Sequence, residues 1–177
     1  MDSEEIIRSI RKIPILNQIF TGVYARDEIP KTNFKHHKSY GYIINLDKST
    51  GFGTHWVAIY IPKYSKYIEY FDSQGDYPLH KEILQLVCRK SYFLYNNKKL
   101  QSSLSTTCGQ WCLFYLCCRV LDISPKKIIS FFDPYDYVLN DNVINAVVNN
   151  MFDMDNDVYD FDFIQKAITH QLQSRFF

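Results

Sequence analysis

The alternation of apolar and polar positions divides the chain into a helical start, a strand-rich middle and a helical second half. Ile6, Ile7, Ile10 and Ile13 recur at helical spacing behind Asp2 and Glu5, a capping-box pair, and Pro14 ends the run. Residues 15–39 carry turn signals (Thr21-Gly22, Ile29-Pro30) and read as loop with short extended pieces. Three strand-like runs follow at 39–47, 56–61 and 67–71, rich in Tyr, Ile and Val, the last two joined by a hairpin-length link, 62–66. Residues 79–90 read as a helix with Leu79, Ile83, Leu86 and Val87 on one side, and 91–95 as a further strand. From 108 to 121 the chain is apolar with few charges, the mark of a buried helix. Ser124-Pro125 opens a short helix to Phe131, Asp141 is read as the cap of a helix reaching Phe152, and Asp162 as the cap of one running towards Ser174. With no repeat or linker in sight, the expectation is a single α+β domain over 1–177, a small mixed sheet flanked by helices.

Charge and cysteine usage narrow the function classes. The net charge of +1 conceals a basic body, with 18 Lys/Arg against 11 Asp/Glu in residues 1–130, and an acidic end, with 2 against 8 in 131–177. The densest basic spots, Lys35-His36-His37-Lys38 and Lys98-Lys99, are short, so an acidic end folded back on the body is favoured over a polyanion-binding surface. Tyr (14) and Phe (13) are abundant beside 6 Gly, which suits contact surfaces but also follows from a composition rich in Lys, Asn and Ile. Five cysteines, four of them within eleven residues, with no secretory leader read ahead of them, point to free thiols in a reducing interior rather than a secreted, stapled domain. The longest apolar runs are too short to cross a bilayer. Cys108, Cys112, Cys117 and Cys118 stand at i, i+4, i+9 and i+10 of one helix and cannot converge on a tetrahedral ion, so neither a metal nor another cofactor is expected.

One constellation carries chemistry. Acyl transfer by a thiol needs a nucleophile, a base, a group that orients the base, and donors for the oxyanion. Cys108 stands at the head of the apolar helix, where unpaired N–H groups and the helix dipole favour a thiolate, and Gly109 behind it admits a substrate backbone. The other cysteines of the segment lie inside the helix, where nothing favours ionisation. His55 stands at the mouth of the 56–61 strand, and Asp72 leaves the 67–71 strand. If these strands pair antiparallel, the residue entering one lies beside the residue leaving the other, so the carboxylate can hold the imidazole. For the oxyanion, the Cys108 amide is one donor; Gln101, Gln74 and Gln110 are the side-chain possibilities, and spacing alone does not choose among them.

The segments G-T-H-W-V-A (53–58), Y-F-D-S-Q-G (70–75), Gln101 and T-T-C-G-Q-W-C-L-F (106–114) resemble the adenovirus maturation protease (adenain) and, more loosely, the SUMO-deconjugating proteases. The order of the parts is the same, with 17 residues from His55 to Asp72 and 7 from Gln101 to Cys108, and Phe20-Thr21-Gly22-Val23-Tyr24 looks similar as well. The resemblance covers residues 1–150 and implies a papain-like fold with its parts in permuted order. It also implies Gln101 as the oxyanion donor, and endopeptidase action on viral precursor polypeptides, capsid proteins among them, after glycine or near small residues. Similar proteases occur in virophages and Polinton-type elements. By the same likeness the enzyme is expected to act as a monomer in the virion and the host-cell interior. The alternatives are removal of ubiquitin-like modifiers and a non-catalytic scaffold. Adenain has a glutamate where this chain has Asp72, while the SUMO-type enzymes have aspartate. Adenain's activating peptide is disulfide-linked through a cysteine upstream of the nucleophile. Here the upstream cysteine is Cys88, read as buried on the 79–90 helix and out of register, so no such linkage is expected; stimulation by DNA stays open.

Overall fold

The computed structural model describes residues 1–152 and Lys166, so the helix expected from Asp162 lies outside the described residues. Asp2 caps α1 (Ser3–Arg11) through a complete capping box with Glu5. Pro14 does more than end it: at the first position of α2 (Pro14–Ile19) its missing N–H costs nothing. The chain then enters β1 (Phe20–Ala25), where the sequence reads as loop. That strand escapes detection because every residue in it is half-buried at a sheet edge, so no alternation shows. Gly22, which resembles a turn signal, instead marks an irregularity in the pairing. The Tyr24 ring folds over it so closely that a Cβ there would meet ring atoms at 2.6 Å.

β2 (Tyr40–Asn45), β3 (Trp56–Ile61), β4 (Tyr67–Phe71) and β5 (Tyr92–Tyr95) complete a five-stranded mixed sheet in the order β1-β2-β3-β4-β5. The outer pairs are parallel, and β2–β3 and β3–β4 are antiparallel. The expected β3–β4 hairpin is present, with Ala58 opposite Phe71 and Tyr60 opposite Glu69. Central β3 is covered on both faces, which explains its unbroken apolar run. Trp56, Ala58 and Tyr60 join a core with the helices of one face, and Val57, Ile59 and Ile61 join Ile83, Leu86 and Val87 of α3 (Lys81–Val87) on the other. The 79–90 helix is therefore shorter than expected. Leu79 lies outside it and is exposed, and Cys88, at its C-cap, is exposed rather than buried.

The axis of the molecule is α4 (Cys108–Val120), packed on β3 and surrounded by α1, α2, α5 (Pro125–Ser130) and α6 (Tyr137–Phe152). Residues 108–119 of α4 are buried except Gln110, so the helix is apolar all round and most of its stability is tertiary. Asp136, not Asp141, caps α6, accepting the Leu139 N–H at 2.9 Å. The Asp141 side chain is buried and used elsewhere. Among the described residues no helix is long and apolar enough to cross a membrane.

One buried ion pair fixes α4 against the sheet. Arg119 donates from Nε and Nη2 to the two carboxylate oxygens of Glu69 at 2.7 and 3.0 Å, and Tyr115 Oη adds 2.8 Å. Glu69 is 1% exposed. Arg119→Ala therefore strands a buried carboxylate and is expected to lower the unfolding free energy by about 3–5 kcal/mol in urea denaturation. A loss under about 1 kcal/mol would show that the pair does not hold the helix.

Candidate active site

Three elements converge at the carboxyl ends of β2 and β4 and the start of β3. His55 sits one residue ahead of β3, and its carbonyl accepts the Leu46 N–H at 2.8 Å, which ties its backbone to the end of β2. Asp72 follows β4. Its backbone N–H donates to Asn96 Oδ1 at 2.8 Å, and Asn96 Nδ2 donates back to the Asp72 carbonyl. Asn96, just past β5, was not foreseen; the sequence signal for it is only a polar pair after an aromatic strand. Gln74 N–H donates to Asp72 Oδ1 at 2.8 Å, so the aspartate is the turn residue that Asp-Ser-Gln-Gly suggests as well as a member of the site.

Antiparallel pairing brings the two side chains together as expected. His55 Nε2 lies 2.7 Å from Asp72 Oδ1. The carboxylate is 1% exposed and the imidazole 18% exposed. With Nε2 engaged, Nδ1 is left free for the neighbouring Cys108 thiol, which helps to raise the imidazole. Cys108 is the first residue of α4 and 9% exposed. The backbone amides of Trp56 and Gly109 lie beside it and favour its thiolate.

The electrostatics follow from that packing. Burial disfavours charge on His55, but the Asp72 hydrogen bond, the thiol and the Asp72 charge outweigh it and raise the imidazole from 6.5 to about 10. Burial likewise raises the Cys108 thiol, yet the His55 hydrogen bond, the Trp56 amide, the His55 charge and the Gly109 amide bring it below its ordinary value. The pair is thus set towards thiolate and imidazolium. Cys112, Cys117 and Cys118, one to three turns further along the same helix, are all pushed up by burial. Position on the helix separates the one thiol held below its ordinary value from three held above it.

The glutamines are placed differently. Gln101 is 1% exposed and close to the aspartate's neighbour: Ser73 Oγ donates to Gln101 Oε1, and the Leu100 and Gln101 N–H groups both donate to the Ser73 carbonyl. Its Nε2 donates to Ser105 O and Oγ at 3.1 and 2.9 Å, so both amide hydrogens have partners within the loop. Gln74 reaches Ser102 O at 3.5 Å, and Gln110 lines a separate surface cavity with Glu5, Arg8 and Ser9 of α1. A groove of about 430 Å³ opens beside Trp56, bordered by Tyr24, Asn45, Phe52 and Gly53, with the Trp56 indole donating to the Met1 carbonyl at 3.1 Å. Among the described residues no cluster of three His, Cys, Asp or Glu side chains is arranged to hold a metal ion.

Comparison with known proteins agrees with the geometry. Residues 6–122 match the model of the Ulp1 protease family, C-terminal catalytic domain. A protein of African swine fever virus named SUMO-1 cysteine protease is 29% identical over 146 residues, which is 73% of this chain and 51% of the relative. A second, from another strain of that virus and named cysteine protease, is 32% identical over 104 residues, covering 52% of this chain and 38% of the relative. The chain therefore spans about half the length of these relatives or less. The crystal structure of the African swine fever virus pS273R protease superposes with a TM-score of 0.52 at 19% identity, covering 77% of this chain and 64% of that one, and so shares its fold. Of the two resemblances seen in the motifs, the SUMO-type one is matched directly. The chain belongs to the Ulp1 protease family of cysteine proteases, and the matched span contains the cysteine, histidine and aspartate that meet at the head of α4.

Proposed function

We propose that this enzyme is an endopeptidase that cuts viral precursor polypeptides, capsid precursors among them, next to glycine or another small residue during particle maturation. Cys108 is the nucleophile, His55 the base that becomes the leaving-group acid, and Asp72 the group that orients and charges the imidazole. The observation that carries the reading is the 2.7 Å contact of the His55 imidazole with the buried Asp72 carboxylate, beside a cysteine that opens a buried helix. Small residues at the cut fit a nucleophile that is only 9% exposed. The named relatives are proteins of a virus, which supports a viral substrate.

Removal of ubiquitin-like modifiers is the second reading, favoured by the family and by the relative named SUMO-1 cysteine protease. Mass spectrometry of capsid precursors and of ubiquitin-like fusions, each incubated with wild type and Cys108→Ala, separates the two. Wild-type-only fragments ending in glycine from the precursors are expected, and cleavage confined to the fusions would replace the first reading by the second. Duplex DNA added to the same assay tests stimulation.

Gln101 supplies the second oxyanion donor by letting go of Ser105 when substrate enters. Gln101→Ala is then expected to lower kcat about 100-fold with little change in KM. A loss confined to KM would assign the residue to loop structure or substrate binding instead.

The pH dependence follows from the pair. Activity needs thiolate and imidazolium together, so kcat/KM rises as Cys108 loses its proton, below the ordinary thiol range, and falls as His55 loses its own near 10. Because the folded His55 value is raised, the stability it contributes is complete below 6.5 and is lost as pH climbs through about 10. A kcat/KM profile with its acid limb at about 8.5, the value of a free thiol, would contradict this.

A further inference from the structure

Helix α6, beyond the family-matched span, reaches back to the head of α4 through one buried carboxylate. Asp141 on α6 is 5% exposed and accepts three hydrogen bonds: the Ser102 N–H at 2.9 Å, Thr107 Oγ1 at 2.6 Å and Trp111 Nε1 at 2.9 Å. Its neighbour Asn140, fully buried, donates from Nδ2 to the Leu100 carbonyl at 3.1 Å. Two adjacent side chains thus hold the Gln101 loop and the first turn of α4.

Thr107 is the N-cap residue of α4, the position whose hydroxyl ordinarily accepts an N–H from the first helical turn. Here it makes no such bond, and its backbone, at φ −87° and ψ 5°, is not in the extended conformation usual for a cap. Its hydroxyl proton goes to Asp141 instead. The Gly109 N–H, which a capping hydroxyl would take, is left unclaimed by Thr107 next to Cys108, where it favours the thiolate. Further polar contacts lie beside the same carboxylate: Ser73 Oγ donates to Gln101, Gln101 Nε2 to Ser105 Oγ, Ser105 Oγ to the Ser102 carbonyl at 3.2 Å, and Ser105 Oγ lies 3.0 Å from Thr107 Oγ1.

We infer that Asp141 is a positioning residue for the nucleophile: by taking the Thr107 hydroxyl it keeps the head of α4 uncapped, so that the first-turn amides serve the thiolate. The inference rests on Cys108 being the nucleophile, and its test needs no substrate. Iodoacetamide alkylation of Cys108 is followed by peptide mass spectrometry across pH in the full chain, with exposed Cys88 as the internal reference.

In Asp141→Ala, which removes the acceptor, the freed hydroxyl can turn onto the helix. The midpoint for Cys108 alkylation is expected to rise by about one pH unit, a tenfold loss of thiolate on the acid side. Adding Thr107→Val removes the competing hydroxyl and is expected to restore the midpoint. Val147→Ala, which removes apolar packing from the same helix at a side chain 1% exposed, is expected to leave the midpoint unchanged while lowering stability. Should Asp141→Ala fail to fold, Thr107→Asn replaces it, since asparagine is a strong capping residue and must raise the midpoint with Asp141 in place. An unshifted midpoint in whichever variant folds, no recovery in the double variant, or an equal shift in Val147→Ala overturns the inference. A wild-type midpoint equal to that of Cys88 overturns both it and the nucleophile assignment.

Discussion

Cys108→Ala is expected to abolish peptide cleavage, lowering kcat/KM by at least about 10⁴-fold, in a protein that folds as before. The size of the loss follows from the chemistry: without sulfur there is no covalent intermediate, and the remaining amides at the head of α4 can only polarise a carbonyl for attack by water. The mildness of the structural effect follows from packing. Cys108 is the first residue of the helix, and the change to alanine removes one heavy atom, the sulfur, at a cost of about 1 kcal/mol or less. The same substitution at Cys112, fully buried one turn on, is expected to leave catalysis within a few-fold, because burial keeps that thiol protonated. Kinetics with a cleaved precursor peptide and thermal unfolding of both variants check the pair; activity surviving in Cys108→Ala would end the assignment.

His55→Ala is expected to match that loss, while Asp72→Asn keeps part of the activity. Removing the imidazole takes away the partner that lowers the thiol, the proton donor for the leaving amine, and the counter-charge at once. Asparagine at 72 can still accept the Nε2 hydrogen through its side-chain oxygen but brings no charge. An adjacent carboxylate is worth about one to three pKa units to a cation, so the imidazolium is weakened rather than abolished. The expected cost is about 10- to 100-fold in kcat/KM, with the alkaline limb moving down from about 10. Equal loss in both variants, with no shift of that limb, would mean that Asp72 is needed for the fold of its turn and not for the charge on His55.

The sequence made the middle of the sheet and the reactive residues legible for one physical reason: each is announced locally. An apolar run of β-branched and aromatic residues marks β3 and β4 wherever they pack, and a cysteine-glycine pair after three polar residues marks a helix start. Hairpin geometry then places Asp72 beside His55 without further information. What was not legible depends on partners distant along the chain. β1 shows no alternation because the sheet edge half-buries every residue in it, and Gly22 imitates a turn while serving a bulge. Leu79 fits a helical stripe that the helix does not extend far enough to use. Asp141 fits a capping pattern, but Asp136 caps α6 and Asp141 turns inward to Ser102, Thr107 and Trp111. Local chemistry gives the same signal for a cap and for a buried strut; only the tertiary contact distinguishes them.

The central claim is that the site rests as a charged pair, and nitrogen NMR of the His55 ring reads it directly. With imidazole nitrogens labelled, both His55 nitrogens are expected to carry protons at neutral pH and to keep them until about 10. In Cys108→Ala the transition is expected to move downwards as the thiolate is lost. A His55 ring that is neutral at neutral pH, titrating near 6.5 with or without the sulfur, would contradict the account.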